Sequence, residues 1–282
     1  MIKNFRAPTT LTWTGGQNGN AWDLTTSSNW LNGAAKDQFA PNDTVRFDNT
    51  GASNLTVTLS GDLVCSNLIV DTTNNYTLTS SGALLGTAGL TKSNSGTLTI
   101  TALNHTFTGK TILAGGTLVV SEIDAVGYAS SLGNPPGGST NLVFYNSPTL
   151  RITGESYTDR GLTINVGTNT LDVQNAADQL TIAGVITGAG ALQKSGPGTF
   201  TVTANNTYTG PTLITGGELS LGGGTVNQYG LGLGPGGNGN TTITISNATL
   251  RMFSDSASYD NTYWNLVIPT NSYATIYADD RV

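Results

Sequence analysis

GLTKSNSGTLTITALNHTFTGKTILAGGTLVV, residues Gly89 to Val120, is nearly repeated as GALQKSGPGTFTVTANNTYTGPTLITGGELSL, residues Gly190 to Leu221. The two stretches align when Leu103 is treated as an insertion, and the alignment places Lys92 on Lys194. Matching segments continue beyond both stretches, so each unit is about a hundred residues long. An internal repeat of this kind is the sequence signature of a stacked architecture, and it is interpreted before any local motif.

Short alternating runs fill each unit, with two to four residues of Thr alternating with Leu, Ile or Val before a Gly or Asn. Side chains alternate faces along a strand, so each run presents its apolar residues to one side. Strands this short become stable when successive coils stack and glycine occupies the corners. The sequence therefore predicts an all-β fold, a right-handed parallel β-helix or β-solenoid. The clearest runs are Thr97–Ile100, Thr117–Val120, Thr149–Ile152, Leu162–Ile164, Thr170–Val173, Leu180–Ile182, Thr199–Val202 and Glu218–Leu221.

A β-sandwich or a closed antiparallel barrel is the competing all-β fold. Either should show longer strands joined by tight hairpin turns. The pairs Asn18-Gly19, Asn32-Gly33 and Asn238-Gly239 occur, but none separates two clear alternating runs. For the β-helix, about 20 residues per coil and about 4.8 Å between stacked strands predict about a dozen coils and a rod about 60 Å long.

The repeated motif resembles the autotransporter-associated β-strand repeat, also called the passenger-associated transport repeat. The similarity is strongest at Lys194–Phe200 and Asn206–Gly210, and it covers two units between about residues 82 and 282. The start of the chain also resembles large secreted proteins built from these repeats, at Thr12–Gly16, Asn29-Trp30 and Asp43–Asp48. This resemblance implies the rod of a surface-exposed passenger or a fibre-like protein, and it does not by itself imply an enzymatic activity.

Three parts are expected along the chain: an N-terminal segment and cap (1–60), coils that include the first repeat unit (61–181), and coils of the second unit that end without a cap (182–282). Trp13, Trp22 and Trp30 cluster in the first part. They are interpreted as a cap over the open apolar column of the first coil. Stacking of sugars on these rings is the alternative. Two longer breaks, 121–141 and 222–240, are predicted to be loops that project from the rod, with a short helical turn near Glu122 to Gly127.

The composition restricts the environment and the partners. Charged residues make up 10% of the chain and the net charge is −6, so neither nucleic acid nor an anionic membrane surface is expected as a partner. Cys65 is the sole cysteine, which excludes a disulfide framework and favours a small buried side chain. No apolar stretch follows the N-terminal charges as in a signal peptide, and no run is long enough to span a membrane.

Few residues offer chemistry. His105 is the sole histidine, and its counterpart in the second unit lies among Asn205-Asn206-Thr207, which argues against a catalytic triad. Asp279-Asp280 is the single adjacent carboxylate pair, and Asp159, Arg160 and Asp172 are interpreted as solvated surface charges. Lys92, Lys194, Arg151 and Arg251 recur between units, which indicates a structural role such as hydrogen bonding a corner. No catalytic, metal-binding or cofactor-binding residue is therefore predicted, no cofactor is expected, and the ligand-binding residues stay open.

The function expected from these features is a non-enzymatic, extracellular or cell-surface β-helix scaffold with a structural or adhesive role, as a fragment or subunit of a longer surface protein or fibre. Export with removal of the signal, or production without export as a virion or appendage fibre, would both fit the N-terminus. A carbohydrate-binding or polysaccharide-degrading β-helix is the third alternative. The expected partners are further copies joined end to end into fibres, and a host or surface glycan or protein.

Overall fold

A computed structural model describes residues 6–24, 26–222, 241–254 and 264–280. In these residues every regular element is a β-strand, except for one 3₁₀ turn at Asn49–Gly51. The first strands are β1 (Thr10–Trp13), β2 (Ala21–Trp22), β3 (Trp30–Asn32), β4 (Ala35–Asp37), β5 (Thr44–Phe47), β6 (Thr56–Leu59), β7 (Leu63–Val64), β8 (Asn67–Asp71), β9 (Tyr76–Ser80), β10 (Leu84–Leu85), β11 (Gly89–Ser93), β12 (Thr97–Ile100), β13 (Thr111–Ala114) and β14 (Thr117–Val120). The remaining strands are β15 (Leu142–Phe144), β16 (Thr149–Ile152), β17 (Ser156–Thr158), β18 (Leu162–Ile164), β19 (Thr168–Val173), β20 (Gln179–Ile182), β21 (Ile186–Thr187), β22 (Ala191–Ser195), β23 (Thr199–Val202), β24 (Thr212–Ile214), β25 (Glu218–Leu221), β26 (Thr241–Ile245), β27 (Ala248–Ser254), β28 (Trp264–Val267) and β29 (Ala274–Asp280).

The strands stack on three faces that the chain visits in turn. Face A contains β1, β5, β8, β11, β13, β15, β18 and β21, and face B contains β2, β6, β9, β12, β14, β16, β19, β22, β24, β26 and β28. Face C begins with β7 and β10 and later contains β17, β20, β23, β25, β27 and β29. Strands of successive coils pair in parallel on every face. The predicted β-solenoid is therefore confirmed, and its right-handed winding stays a prediction.

The length of a coil follows from the strand register on face B. Thr97 pairs with Thr117, a turn of 20 residues, whereas Leu118 pairs with Leu150, a turn of 32 residues. In the described part of the chain, β6 to β28 make about nine turns, which corresponds to a stack about 43 Å high at about 4.8 Å per turn. The expected dozen coils is an overestimate, because two of the turns are long and the N-terminal segment forms a cap.

The interior is a stack of aliphatic layers. In β12 the inward residues Leu98 and Ile100 are buried, while the alternating threonines lie partly exposed on the outer surface. In the next coil Leu118 and Val120 occupy the same two register positions. In-register parallel pairing therefore places apolar side chains above one another. Each Å² of apolar surface that this stacking removes from water stabilises the fold by about 25 cal/mol.

The two repeat units do not occupy equivalent faces. Lys92 lies in β11 on face A, between β8 and β13, whereas Lys194 lies in β22 on face B, between β19 and β24. Four coils on face A separate β11 from β21, and β22 follows on the next face. One unit therefore spans four and one-third turns, so the second unit is rotated by one face relative to the first.

The N-terminal aromatic residues close the first coil. The side chains of Trp13, Trp22 and Trp30 are fully buried, and Trp30 meets the other two edge-on at ring-centroid distances of 4.9 and 5.4 Å. Beside them, β3 and β4 form an antiparallel extension at the edge of face A, with Lys36 and Asp37 on the outermost strand. The predicted cap is confirmed. Sugar stacking on the three rings is excluded in this structure because none of them is accessible.

The repeated lysines donate hydrogen bonds to backbone carbonyls at the corners between strands, as predicted. Lys92 is fully buried, and its Nζ donates hydrogen bonds to the carbonyl oxygens of Ser93 and Asn94 at 2.7 and 3.0 Å. Lys194 Nζ donates the equivalent hydrogen bonds to the carbonyl oxygens of Ser195 and Gly196, and a third to Gly216 O at 3.1 Å. Gly116 completes the first corner with φ of +64°, where a Cβ would lie 2.4 Å from Asn94 O. The corner therefore requires a glycine as well as the ammonium group.

Burial of the two ammonium groups predicts a rise in stability with alkaline pH. Desolvation lowers the pKa of Lys92 and Lys194 to about 8, whereas an unfolded lysine titrates near pH 10.4. Between these values the unfolded chain binds more protons, so the free energy of unfolding should increase as the pH rises. Urea unfolding at pH 7.5, 8.5 and 9.5 measures this slope.

A Lys92→Met, Lys194→Met double variant is the control for that measurement. Methionine retains the apolar stem and removes the titrating group, so we expect the variant to lose most of the increase between pH 7.5 and 9.5. An unchanged slope in the variant would assign the pH dependence to other groups.

Candidate functional site

The segment between β14 and β15, residues 121–141, departs furthest from the regular coil in the described part of the chain. Its residues Ile123 and Leu132 are each 2% exposed and belong to the hydrophobic core. The expectation of a simple projecting loop is therefore wrong for the first unit, because these apolar side chains hold the segment against face C. The expected helical turn near Glu122 to Gly127 is also absent; a hydrogen-bonded turn is present at Val126-Gly127 instead. The counterpart break at 222–240 lies, from residue 223 onward, outside the described residues.

Arg160 holds this insertion in place through hydrogen bonds to its backbone. Its side chain is 4% exposed, and Nη2 donates to Gly133 O at 2.8 Å and to Tyr128 O at 3.4 Å. Desolvation lowers the pKa of Arg160, while the nearby charges of Asp124 and Asp159 oppose that shift. The interpretation of Arg160 as a solvated surface charge is wrong, because its partners are backbone carbonyls that only the folded insertion brings to it.

Strand β17 and the residues after it form the second attachment. Thr158 Oγ1 donates to Asp124 O at 3.0 Å, and the Ile123 N–H donates to Ser156 Oγ at 3.2 Å. The carboxylate of Asp159 accepts a hydrogen bond from the Val126 N–H at 2.7 Å. Side chains from one coil therefore satisfy the irregular backbone of the coil before it, as buried or shielded backbone groups require.

A groove of about 410 Å³ opens on face C between the insertion and the two following coils. Tyr157 stands in it with 54% of its surface exposed. Burial and the charge of Asp124 raise the pKa of Glu122. The lining residues are Glu122, Ile123, Asp124, Glu155, Ser156, Tyr157, Gln179 and Thr181.

The groove carries negative charge, and its lining residues include no lysine, arginine or histidine. The ion pairs of the described residues do not include Glu122, Asp124 or Glu155. Carboxylates accept hydrogen bonds and attract cationic groups, and an exposed tyrosine ring adds a flat apolar surface with a polar end. The arrangement is therefore suited to binding polar or cationic surfaces. Among the described residues no group of three or more His, Cys, Asp or Glu side chains is placed to hold a metal ion.

His105 has a structural role that the second unit reproduces with a different residue. Its Nδ1 accepts a hydrogen bond from the Leu84 N–H at 3.0 Å, and Asn206 Oδ1 accepts one from the Ile186 N–H at 2.8 Å. His105 is fully buried, and desolvation lowers its pKa to about 4. The imidazole is therefore neutral at physiological pH and serves as an acceptor for the backbone of the coil before it.

Asp172 and the recurring arginines are also engaged in ion pairs. Asp172 is 6% exposed and accepts from Arg151 Nε at 2.5 Å, so it is not a solvated charge. Arg251 Nε lies 2.9 Å from Glu218 Oε1, so the recurring arginines pair with carboxylates on neighbouring strands rather than with corners. Asp279 and Asp280 lie in β29, and their side chains are outside the described part of the structure. Cys65 is buried as predicted, and burial raises its pKa to about 12.

Two segments of regular coils match a known family. A family model, the passenger-associated-transport-repeat (PATR), matches residues 90–120 and 192–221, which run from β11 to β14 and from β22 to β25. Two segments of the chain are therefore similar to PATR repeats. Both PATR matches begin at a lysine corner strand and end on the strand that precedes a long break. The groove of the first unit therefore lies just outside the matched residues.

A curated relative places these PATR units in a larger context. The chain is 43% identical over 126 residues to "Adhesin BmaC autotransporter" of Brucella suis biovar 1 (strain 1330). That alignment covers 44% of this chain and 4% of the relative, so the chain matches a small fraction of the relative's length. No solved structure matches the chain. Among the described residues no helix is long and apolar enough to cross a membrane.

Substitution of His105 tests its assignment as a backbone acceptor. His105→Ala leaves the Leu84 N–H buried without its acceptor and should lower the free energy of unfolding by about 1–3 kcal/mol. His105→Asn should retain most of the stability, because Asn206 performs the same role in the second PATR unit. Chemical denaturation at pH 7 measures both effects.

The pH dependence separates the two variants further. Histidine binds a proton near pH 6.5 when unfolded and near pH 4 when folded, so the wild type should lose stability as the pH falls from 6.5 towards 4. His105→Asn should lose less over the same range. Equal acid sensitivity of the two proteins would contradict the assignment.

Proposed function

We propose that the protein is a non-enzymatic adhesive scaffold displayed at the cell surface or outside the cell. The observation that carries the proposal is the combination of a capped β-solenoid with two PATR units and 43% identity to a protein described as an adhesin autotransporter. The solenoid supplies a rigid stack of paired strands, and the insertion supplies an irregular surface on it. Neither comparison supports the virion-fibre or the carbohydrate-active alternative.

Three features of the described residues support a binding rather than a catalytic role. His105 is buried as a backbone acceptor, and Asp172 is occupied by Arg151. The groove contains carboxylates from both the insertion and the neighbouring coils, but it contains no lysine, arginine or histidine among its lining residues to act beside them. Such a surface can attract and hold a partner that carries cationic groups.

We place the adhesive contact at the groove of the first unit and expect the partner to carry cationic groups, for example a lysine- or arginine-rich protein surface. The carboxylates of Glu122, Asp124 and Glu155 give the groove a negative field, which the Arg160 guanidinium offsets in part at Asp124, and the chain has a net charge of −6. Electrostatic attraction of this kind speeds association and weakens as salt screens it. Tyr157 would provide a cation–π or stacking contact at the centre of the groove.

End-to-end association into fibres also remains a proposal. At the N-terminal end the aromatic cap is buried and the outermost strand bears Lys36 and Asp37, features that oppose edge-to-edge pairing. Sedimentation over a concentration series of the purified chain would measure self-association.

The adhesive proposal is tested by binding of the purified chain to cultured host cells and to immobilised basic proteins. We expect Tyr157→Ala and a Glu122→Gln, Glu155→Gln double variant each to reduce binding at least fivefold, and binding of the wild type to fall with rising salt. Tyr145→Ala is the matched control, because Tyr145 is also an exposed tyrosine, 43% exposed, and does not line the groove.

Two negative results have different meanings. Binding that is retained by every groove variant would move the contact to another surface while leaving the adhesive function intact. Absence of wild-type binding to any cell or protein surface, with a strand-rich circular dichroism spectrum confirming the fold, would contradict the adhesive function itself.

A further inference from the structure

The same pair of charged side chains precedes both PATR units. Arg46 of β5 and Asp71 of β8 lie in the two coils before the first unit, and Arg151 of β16 and Asp172 of β19 lie in the two coils before the second. The family model matches from residues 90 and 192 onward, so all four side chains lie outside the matched residues. They belong to the surface on which each unit stacks, and the repeat motif does not include them.

In the first unit one carboxylate joins the preceding coil to the lysine corner. Arg46 Nη2 donates to Asp71 Oδ2 at 2.5 Å, and the other oxygen, Oδ1, accepts from Ser93 Oγ at 2.8 Å. Asn94 Nδ2 donates to the same oxygen at 2.6 Å. Ser93 lies opposite Asp71 in the strand register and directly follows the buried Lys92. Asp71 therefore binds the arginine of the coil before it with one oxygen and the PATR corner with the other.

The second unit repeats this arrangement on a different face. Arg151 Nε donates to Asp172 Oδ2 at 2.5 Å, and Ser195 Oγ donates to Asp172 Oδ1 at 3.1 Å. Ser195 again lies opposite the aspartate in the register. Gly196 has φ of +74°, and a Cβ there would lie 2.4 Å from Asp172 Oδ1, so the close approach of the carboxylate requires this glycine. Because β8 belongs to face A and β19 to face B, the contact follows the repeat unit and not one face of the solenoid.

The two aspartates also act on the buried lysines of the next coil. Desolvation lowers the pKa of Lys92 and Lys194, and the charges of Asp71 and Asp172 oppose this shift. A buried ammonium group is costly unless an opposite charge and hydrogen bonds compensate it. Each aspartate therefore supports the lysine of the corner as well as accepting a hydrogen bond from its serine.

The coils inside the first unit stack on uncharged outward partners instead. Ser93 lies opposite Ala114 of the next coil, and Thr97 lies opposite Thr117. A slip of two residues would keep the aliphatic side chains of such a strand inward, because side chains alternate faces with a period of two. The contact between an aspartate and a lysine–serine pair forms in one register alone. Apolar stacking by itself therefore tolerates a slip that the charged contact does not.

We propose that Asp71 and Asp172 are the docking residues of the two PATR units: each carboxylate, held by the arginine of the coil before it, recognises the lysine–serine pair that opens the next unit. The partner of this surface is the start of a PATR unit, a strand that ends in an inward lysine and an outward serine. The contact sets the coil on which the unit stacks and the register of its first strand. The stacking unit therefore begins one coil before the segment that the family model matches.

A crossed double-mutant cycle in the full chain tests this pairing. Asp172→Ala and Ser195→Ala remove the two sides of one contact, so the double variant should change the unfolding equilibrium constant by about fivefold less than the product of the single effects. Asp71→Ala with Ser195→Ala is the matched control, because these residues belong to different units, and its effects should multiply. Chemical denaturation at pH 7 measures every variant. Effects that multiply in both pairs would overturn the proposal.

Hydrogen exchange followed by mass spectrometry locates the effect with a milder change, from Asp to Asn, which removes the charge and keeps the shape. In Asp172→Asn we expect the amides of β22 and β23 to exchange about tenfold faster and those of β11 and β12 to keep their rates, because local opening starts where the docking contact is weakened. Asp71→Asn should give the opposite pattern. Acceleration confined to β16, the strand of Arg151, or equal acceleration in both units would refute the docking role.

Discussion

In-register parallel pairing between coils is the constraint on which the rest of this structure depends. Each strand lies about 4.8 Å from the equivalent strand of the next coil, so every inward side chain must fit above and below a counterpart in the same register. Leu98 on Leu118 and Ile100 on Val120 show the rule for one pair of coils. A coil can lengthen only where it leaves the faces, which is why the 32-residue turn carries its extra residues in the segment between β14 and β15.

The rotation between the two PATR units shows what the repeat motif encodes. The same lysine corner forms on face A in the first unit and on face B in the second. A motif tied to one face could not do this, so the motif specifies a strand–corner–strand element that fits any face of the stack. The long breaks that follow the two motifs consequently join different pairs of faces, β14 to β15 in one unit and β25 to β26 in the other.

Sequence patterns predicted the parts of the fold that depend on local periodicity. The alternating runs and the lysine corners are each encoded within a few consecutive residues, and the three tryptophans of the cap lie between positions 13 and 30. Arg160 and the groove were not predictable in this way, because the partners of Arg160 are carbonyls some 30 residues earlier and the groove combines the insertion with β17 and β20. Ile123 and Leu132, two apolar residues in this break that prove to be buried, are the sequence signal that could have indicated a packed insertion.

These constraints separate the positions that keep the rod intact from those that can vary. Inward residues must match their neighbours in two coils, and corner groups such as Lys92 must satisfy buried carbonyls, so a change there affects the whole stack. Residues of the groove, such as Tyr157 and Glu155, face solvent and make no comparable demand on the next coil. A surface that recognises different partners can therefore evolve on the insertion without loss of the solenoid. In the first unit, the hydrogen bonds made by Arg160 and Thr158 hold that surface in a fixed geometry, which would favour selective over nonspecific binding at the proposed contact.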